Sequence, residues 1–522
     1  MTMIHNQLPD HQDSASVNLW PGRKFPVFWL VGLGLLTIAL RLPYIGHVVS
    51  WDEAWNLCAL KSLAGGGGVD FTLQFWRHPP TYLLMGRLLE PLRPGLDSRM
   101  QLLSLALNTA ALLAFVVMVS RLFGRQIALY TGLAYAMMPG ALFFDTWIKH
   151  DPVATLFGVL SLWAYYRRKN WLAGFMLGLA FLGKETAAFY AIPFSLLPFL
   201  LPYREKKLAG VCLIYGIAFG VSCWWYLQMA AATGNFLAMF SGSSVEASKF
   251  IEPWWFYLAR LRMDLGLTGL ILFVAGLAVL FRKSVHRQQP RWRQLLRPRL
   301  MPLIIIGPVY FILALSKAKP GWMTVGIYPL LALLIGYGWL LLTNKLILSV
   351  RGLRLPLGLK RLPGLLITAP LLILIMGIPL LDFRGKVGYQ ALLNEFSPLS
   401  LKTMQPAYTM AEALNSMAKG GEKLVLMPML YRGGPSMPDP IFFWQLKVPL
   451  DIIRINNSVK LDYQTLTTML IQEKADWLLM SPLKGSDQGK IYQEFYDAEN
   501  QLQGYTLPYT VLLKVAPLWR GK

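Results

Sequence analysis

The chain has 522 residues, of which 55% are hydrophobic and 15% charged, and its formal net charge at pH 7 is +23. That composition excludes an ordinary soluble domain, whose surface needs more polar cover. The Lys and Arg residues fall in short blocks between apolar runs rather than along one helical face, which sets aside nucleic acid as the partner and matches the cytoplasmic loops of a membrane protein.

Residues 1–24 read as a cytoplasmic tail, with Arg23 and Lys24 ahead of a retained anchor over 25–42 rather than a cleaved signal. A long outer loop, 43–99, follows and carries Trp51-Asp52-Glu53-Ala54-Trp55 and Arg77-His78-Pro79-Pro80-Thr81-Tyr82, with four glycines at 65–68 that permit bending. The second span covers 100–120 and ends at the basic pair Arg121 and Arg125. The third ends near Pro139, and a short outer loop then carries Asp145, Lys149, His150 and Asp151. The fourth runs to Tyr166, where Arg167, Arg168 and Lys169 mark the inner side. Two short apolar pieces, 171–182 and 186–201, have basic flanks and so form a hairpin with Lys184 and Glu185 at its outer tip.

The seventh span lies near 208–229, and an outer segment with Trp254 and Trp255 leads to the eighth, 265–280. The basic stretch 281–299 is the strongest inner-side signal in the chain. Span nine runs to Leu315, the tip with Lys317 and Lys319 is outer, and span ten ends near Leu342. A last span over 363–381 delivers the tail outside. The total is about eleven spans. The membrane domain is 25–383, and residues 384–522 read as a soluble extracytoplasmic α/β domain with strands in Lys423–Leu430, Val448–Ile455, Ala475–Pro482 and Tyr509–Pro517 and a helix before Ala475. Three cysteines, Cys58, Cys212 and Cys223, have no Cys-x-x-Cys spacing, which argues against a zinc or disulfide framework.

A topology set from Lys and Arg blocks therefore puts Asp52, Glu53, His78, Asp145, His150, Asp151, Lys184, Glu185, Lys317 and Lys319 on one side. Ionisable groups at the ends of apolar helices line cavities or mark interfaces. The aromatic residues Trp51, Trp55, Trp254 and Trp255 suit either a sugar-stacking role or an interfacial belt.

These outer motifs, taken in order, resemble the GT-C glycosyltransferase superfamily of membrane enzymes, and within it the protein O-mannosyltransferases and lipid A aminoarabinose transferases. The similarity rests on Asp52-Glu53 in the first outer loop, His78-Pro79-Pro80 before the second span, Asp151 at the outer start of a span, Gly183-Lys184-Glu185 at a hairpin tip and the 317–329 stretch. Two departures stand out: His78 where the aminoarabinose transferases typically have Lys, and Met323 where an aromatic usually follows Trp322.

The resemblance implies a polytopic α-helical membrane protein of GT-C type, with about 11 to 13 spans and an outer α/β domain. It implies transfer of a sugar from a polyprenyl-phosphate donor, undecaprenyl phosphate in a bacterium, to a lipid, glycan or protein acceptor. The setting is then a bacterial inner membrane with a periplasmic active site. Asp52 is the expected catalytic carboxylate, with Glu53 or Asp151 as alternative or orienting partner, since a carboxylate in reach of a hydroxyl can take its proton. Lys184, Lys317, Lys319, His78 and Arg77 are the expected donor-phosphate groups, because fixed cations stabilise charge growing on a leaving phosphate. Trp51, Trp55, Asp145, His150 and Glu185 are candidates for acceptor or sugar binding. A divalent metal is left open, with His78, Asp52, Asp151 and His150 of suitable type. The rival expectation is a transporter or flippase of polyprenyl-linked substrates, but such proteins carry ionisable groups near mid-span and related halves. The apolar runs here are mostly clean and show no clear internal repeat.

Overall fold

A computed structural model describes residues 25–46, 51–63, 78–89, 95–200, 205–233, 252–285, 301–316, 319, 321–352, 401–427, 440–455, 462–480, 487–498, 504–507 and 510–520. The span expected over 363–381, the glycines at 65–68, Arg77 and Lys317 lie outside them. The helices of the first part are α1 (Val27–Arg41), α2 (Trp51–Leu63), α3 (Thr81–Leu88), α4 (Leu96–Phe123), α5 (Arg125–Met137), α6 (Pro139–Phe144), α7 (Asp151–Tyr166), α8 (Asn170–Phe181), α9 (Ala188–Leu200), α10 (Glu205–Thr233), α11 (Phe256–Val285), α12 (Met301–Leu315) and α13 (Tyr328–Gly352). Short 3-10 turns at Glu185–Ala187 and Gly321–Ile327 precede α9 and α13.

Among the described residues, five helical segments are long and apolar enough to cross a membrane: Val27–Tyr44, Leu96–Phe123, Leu208–Ala231, Phe256–Leu280 and Met323–Thr343. Asn170–Phe181 and Pro302–Leu315 are shorter apolar helices. Their burial assigns their positions. The best span window of Met323–Thr343 is 83% buried and sits at the centre of the bundle, whereas that of Val27–Tyr44 is only 22% buried and lies at its edge. Large apolar side chains such as Val27, Phe28, Leu35, Phe219, Ile271 and Phe311 point outward. Exposure of that kind along several helices marks a lipid-facing belt, because contiguous apolar surface on this scale is unfavourable in water.

The bundle packs closely where it lacks side chains. Helices α11 and α13 meet through Gly276 and Gly338: a Cβ on Gly276 would strike the Leu334 carbonyl oxygen, and one on Gly338 the Leu272 carbonyl oxygen. Small residues let helix backbones approach in a membrane, where dispersion contacts replace the hydrophobic effect as the driving force. Gly338→Ala is expected to destabilise the detergent-solubilised protein by about 1–3 kcal/mol, the usual overpacking cost. Thermal unfolding beside Gly216→Ala, where a Cβ meets nothing within 4 Å, checks this. Helix α11 also bends at Gly266, whose φ is 69°, a value an L side chain would resist.

The second part contains α14 (Leu401–Met417), β1 (Lys423–Leu426), α15 (Pro440–Gln445), β2 (Asp451–Arg454), α16 (Tyr463–Gln472), β3 (Trp477–Met480), α17 (Asp487–Ala498), β4 (Gly504–Leu507), β5 (Thr510–Lys514) and α18 (Pro517–Arg520). The strands form one sheet in the order β2-β1-β3-β5-β4. The first three are parallel, with Leu424 opposite Ile452 and Trp477, and β5 runs antiparallel to β3 and pairs with β4. Helix α16 starts at a capping Asp462, whose carboxylate accepts from the Thr465 N–H at 2.8 Å.

Alternation along the strands splits the core in two. Val425, Leu478, Val511 and Leu513 pack with Leu466, Leu470 and Phe495 of α16 and α17. Leu424, Leu426, Trp477, Leu479 and Leu512 instead join Phe442 and Phe443 of α15, Ala54, Leu57 and Cys58 of α2, and Tyr82 and Leu83 of α3. Helix α2 is thus held between the bundle and the sheet domain.

Candidate active site

Two of the sequence motifs, nearly a hundred positions apart, meet face to face. Asp52, Glu53 and Asn56 lie on one side of the first turns of α2, as the i, i+1, i+4 spacing requires. That side docks on the turn between α6 and α7. The turn is not helical, so its backbone groups need other partners, and α2 supplies them. Glu53 Oε1 accepts from the Ile148 N–H at 2.9 Å, and Asn56 Nδ2 donates to the Ile148 carbonyl at 2.9 Å. Asn56 Oδ1 lies 3.3 Å from His150 Nε2. Asp52 Oδ2 lies 3.3 Å from Lys149 Nζ, the carboxylate side chain 44% exposed and the lysine 9%.

A second layer closes against this one. Asp151 opens α7 with Pro152 behind it, an arrangement suited to a helix start. Its Oδ2 receives Lys184 Nζ at 2.7 Å, with both side chains buried. Its Oδ1 is buried and has no hydrogen-bond partner among the described residues. Next to Lys184, Glu185 faces His78 Nδ1 at 3.7 Å, an ionic contact when the imidazole is protonated. The His78 and His150 rings are 5.1 Å apart, and Tyr82 stands 5.4 Å from His150. The Thr81 N–H donates to the Leu182 carbonyl at 3.2 Å, which ties the start of α3 to the hairpin tip. Asp52, Lys149, Asp151, Lys184, Glu185, His78 and His150 therefore form one continuous charged cluster, built from α2, α3, the α6–α7 turn and the α8–α9 tip.

Lys149, His150, Lys184 and Glu185 sit in the links between the longer helices, and their surroundings set their charge. Burial holds Lys149 below the usual lysine range, opposed by the Asp52 carboxylate. Burial works the same way on Lys184, but Asp151 and Glu185 outweigh it and hold that ammonium above its ordinary value. Burial would raise Glu185, yet His78 and Lys184 keep it below the carboxylate range. Burial, with His78 and the Lys184 ammonium nearby, pushes His150 well below its ordinary value, so its ring is neutral at pH 7.

Asp145 does not face the cluster, contrary to its expected place beside the sugar. Its Oδ2 takes Arg41 Nε at 2.7 Å and its Oδ1 takes the Tyr135 hydroxyl at 3.0 Å, with Arg41 and Asp145 both at 0% exposure. It belongs to the scaffold, where it anchors α1 to the turn that carries Lys149 and His150. Glu53 is likewise fully buried on the Ile148 backbone. Lys319 is buried and donates to the Ser316 carbonyl at 2.5 Å. Trp55 is half-buried against the α2 core, and Trp51 opens α2. Trp254 and Trp255 are exposed at 68% and 50%, just before α11, as an interfacial belt requires. Among the described residues, no group of three or more His, Cys, Asp or Glu could hold a metal ion.

Three residues that bear on the site escaped the sequence reading: Lys149 as a partner of Asp52, Asn56 and Arg41. Lys149 stands inside the quoted motif, two positions before Asp151, so its signal was a cation at the rim of an apolar run. Asn56 carried none beyond its place one turn after Asp52.

A family model described as dolichyl-phosphate-mannose-protein mannosyltransferase matches residues 77–234, a stretch that contains His78, Lys149, His150, Asp151, Lys184 and Glu185. The lipid A galacturonosyltransferase RgtD of Rhizobium johnstonii is 25% identical over 279 residues. That match spans 51% of this chain and 55% of the relative, about half the length of each. Among solved structures, ArnT from Cupriavidus metallidurans superimposes with a TM-score of 0.63 in its apo state, at 16% identity over 95% of this chain and 99% of that one. The same protein bound to undecaprenyl phosphate gives 0.60 at 14% identity, over 95% and 98%. Arabinofuranosyltransferase AftD from Mycobacteria gives 0.51 at 14% identity, over 95% of this chain and 40% of that one. Residues 77–234 thus match the mannosyltransferase family model, and the chain as a whole has the GT-C membrane fold of ArnT.

Proposed function

We propose that the protein moves a sugar from a polyprenyl-phosphate carrier to a lipid, glycan or protein acceptor at the extracytoplasmic face of a bacterial inner membrane. The observation that carries this reading is the charged cluster itself, in which a half-exposed Asp52 stands beside the buried Asp151–Lys184 pair. In a polyprenyl-phosphate sugar the tail lies in the bilayer and the sugar-phosphate at its surface. A site at the helix ends suits such a donor. The basic blocks near 121–125, 167–169 and 205–207 lie at the other ends of the same helices, which supports an outer position for the cluster. The N-terminal tail, 1–24, is then cytoplasmic, and the sheet domain is periplasmic, within 384–522.

The chemistry divides between anions and cations. Asp52 is open enough to meet an acceptor, to orient it and, where it is a hydroxyl, to take its proton. For a phosphate acceptor the same carboxylate serves only to position. Asp151 offers its unpartnered Oδ1 to a ligand hydroxyl while Oδ2 holds Lys184 in place. Lys184 has three N–H donors, so it can keep Asp151 and still donate to the phosphate that leaves with the polyprenol. Fixed in advance, it stabilises that charge without reorganisation. His78, Lys319, Lys317 and Arg77 complete the proposed phosphate set. Glu53 orients α2 rather than reacting, and His150, neutral and buried, packs the floor with Glu185 alongside.

Binding tests the donor half of this reading. Undecaprenyl phosphate is expected to raise the melting temperature of the purified protein, and undecaprenol at equal concentration to leave it unchanged. Lys184→Met should remove most of the difference. Equal stabilisation by the phosphate and the alcohol would contradict a phosphate site at this cluster.

A further inference from the structure

We propose that Lys149 is a positioning residue for Asp52: its ammonium holds the Asp52 carboxylate at the mouth of the site and fixes its direction relative to Asp151. The inference rests on the transferase reading and deepens it, because it names a residue that neither the motifs nor the family pattern assigns.

Three observations carry it. First, the lysine is built in. Its Nζ lies 4.7 Å from the centre of the Trp147 ring, its side chain is 9% exposed, and its backbone N–H donates to the Trp147 carbonyl at 2.9 Å. The cation–π contact and the burial restrict the ammonium, which lies 3.3 Å from Asp52 Oδ2. Second, the turn beneath it is fixed from both sides. Arg41 grips Asp145 at one end, Glu53 and Asn56 grip Ile148 in the middle, and Lys184 grips Asp151 at the far end. Third, the pairing is selective. The charged groups around Lys149 are Asp52 from α2, Asp151 from the start of α7 and Lys184 from the hairpin tip. Asp151 is engaged by Lys184 at 2.7 Å, which leaves Asp52 as the carboxylate for Lys149.

The docking of α2 does not depend on this contact. Glu53 and Asn56 hold the helix through the Ile148 backbone, and Ala54, Leu57 and Cys58 pack beneath it. Loss of Lys149 therefore leaves α2 in place and frees only the carboxylate at its first turn. A misplacement of about 1 Å at a reacting group can cost on the order of 100-fold in rate.

Two measurements test the proposal, the second independent of sugar transfer. With a donor that the parent protein consumes, Lys149→Met is expected to lower kcat by roughly 10- to 100-fold, with little change in KM for the donor. Lys149→Arg should recover a substantial part of the rate. Unchanged kcat in Lys149→Met would overturn the proposal. So would a loss confined to KM, which would make the lysine a donor contact, or equal losses in the Arg and Met variants. For the second, Asp52→Cys is labelled with an anionic and a cationic methanethiosulfonate. An ammonium facing position 52 favours the anionic reagent, so the anionic-to-cationic rate ratio should fall several-fold when Lys149→Met is added. An unchanged ratio would overturn the proposal whether or not any donor is consumed, and a fall in the ratio with no donor consumed would support the geometry while counting against the transferase reading.

Discussion

Arg41→Met is expected to destabilise the protein by about 3–5 kcal/mol, the cost of stranding one partner of a buried ion pair. Arg41 closes α1 and is wholly buried. Its guanidinium donates to Asp145 Oδ2 at 2.7 Å, to the Ala136 carbonyl at 2.9 Å and to the Thr37 carbonyl at 3.2 Å. Without it the Asp145 carboxylate keeps only the Tyr135 hydroxyl, at 3.0 Å. A thermal melt of the detergent-solubilised variant should show a large downward shift. Arg41→Met combined with Asp145→Leu should recover much of it, because removing both charges leaves none stranded. A small shift in the single variant, or no recovery in the double, would contradict the anchoring role. The pair matters for function because Asp145 begins the turn that carries Lys149, His150 and Asp151, and the Asp145 carbonyl also receives Asn108 Nδ2 at 3.1 Å.

Asp52→Asn is expected to lower sugar transfer to a hydroxyl acceptor by about 100- to 1,000-fold, within the range for a lost general base, while lowering the melt less than Asp151→Asn does. The side chain is 44% exposed and keeps its size and shape in the amide, and Lys149, which burial already holds below the usual lysine range, can shed its proton when the carboxylate is gone, so less stability is at stake than at Asp151. The amide can neither take a proton nor pair with Lys149. Asp151→Asn should behave differently. It would leave Lys184 buried beside a neutral partner, so both transfer and stability should fall. Paired assays of rate and melting temperature on the two variants separate a reacting carboxylate from one that holds a cation. For an acceptor that is itself a phosphate, Asp52→Asn should cost far less, which makes the size of the loss a reading of acceptor chemistry.

The membrane helices and the gathering of charge at one rim were legible in the sequence because both follow from local rules, apolar length and the side on which Lys and Arg collect. The pairing inside the cluster was not. Asp52 and Lys149 are brought together by α2 docking on a turn far along the chain, and no periodicity encodes that contact. Asp145 shows the same gap from the other side. A carboxylate at the end of an apolar run looks alike whether it faces a cavity or a buried arginine, and Arg41 lay inside the span expected over 25–42 with nothing to mark it. In the sheet domain, β1, β2, β3 and β5 fall within stretches expected to be strands, and α16 overlaps the expected helix before Ala475 but starts three residues ahead of it, at Tyr463. The short β4, Gly504–Leu507, carries a Gly and no clear alternation, and only its pairing with β5 makes it a strand.

The most direct test of the central claim is to reconstitute the purified protein with undecaprenyl-phosphate-linked sugars labelled in the sugar, add a membrane extract as acceptor, and follow donor and product beside Asp52→Asn and Lys184→Met. The account predicts that the parent consumes a donor, that the label moves to an acceptor as undecaprenyl phosphate appears in equal amount, and that both variants spare the donor. A donor that stays intact but changes leaflet would contradict it and identify a carrier transporter, and equal consumption by all three proteins would remove the chemistry from this cluster.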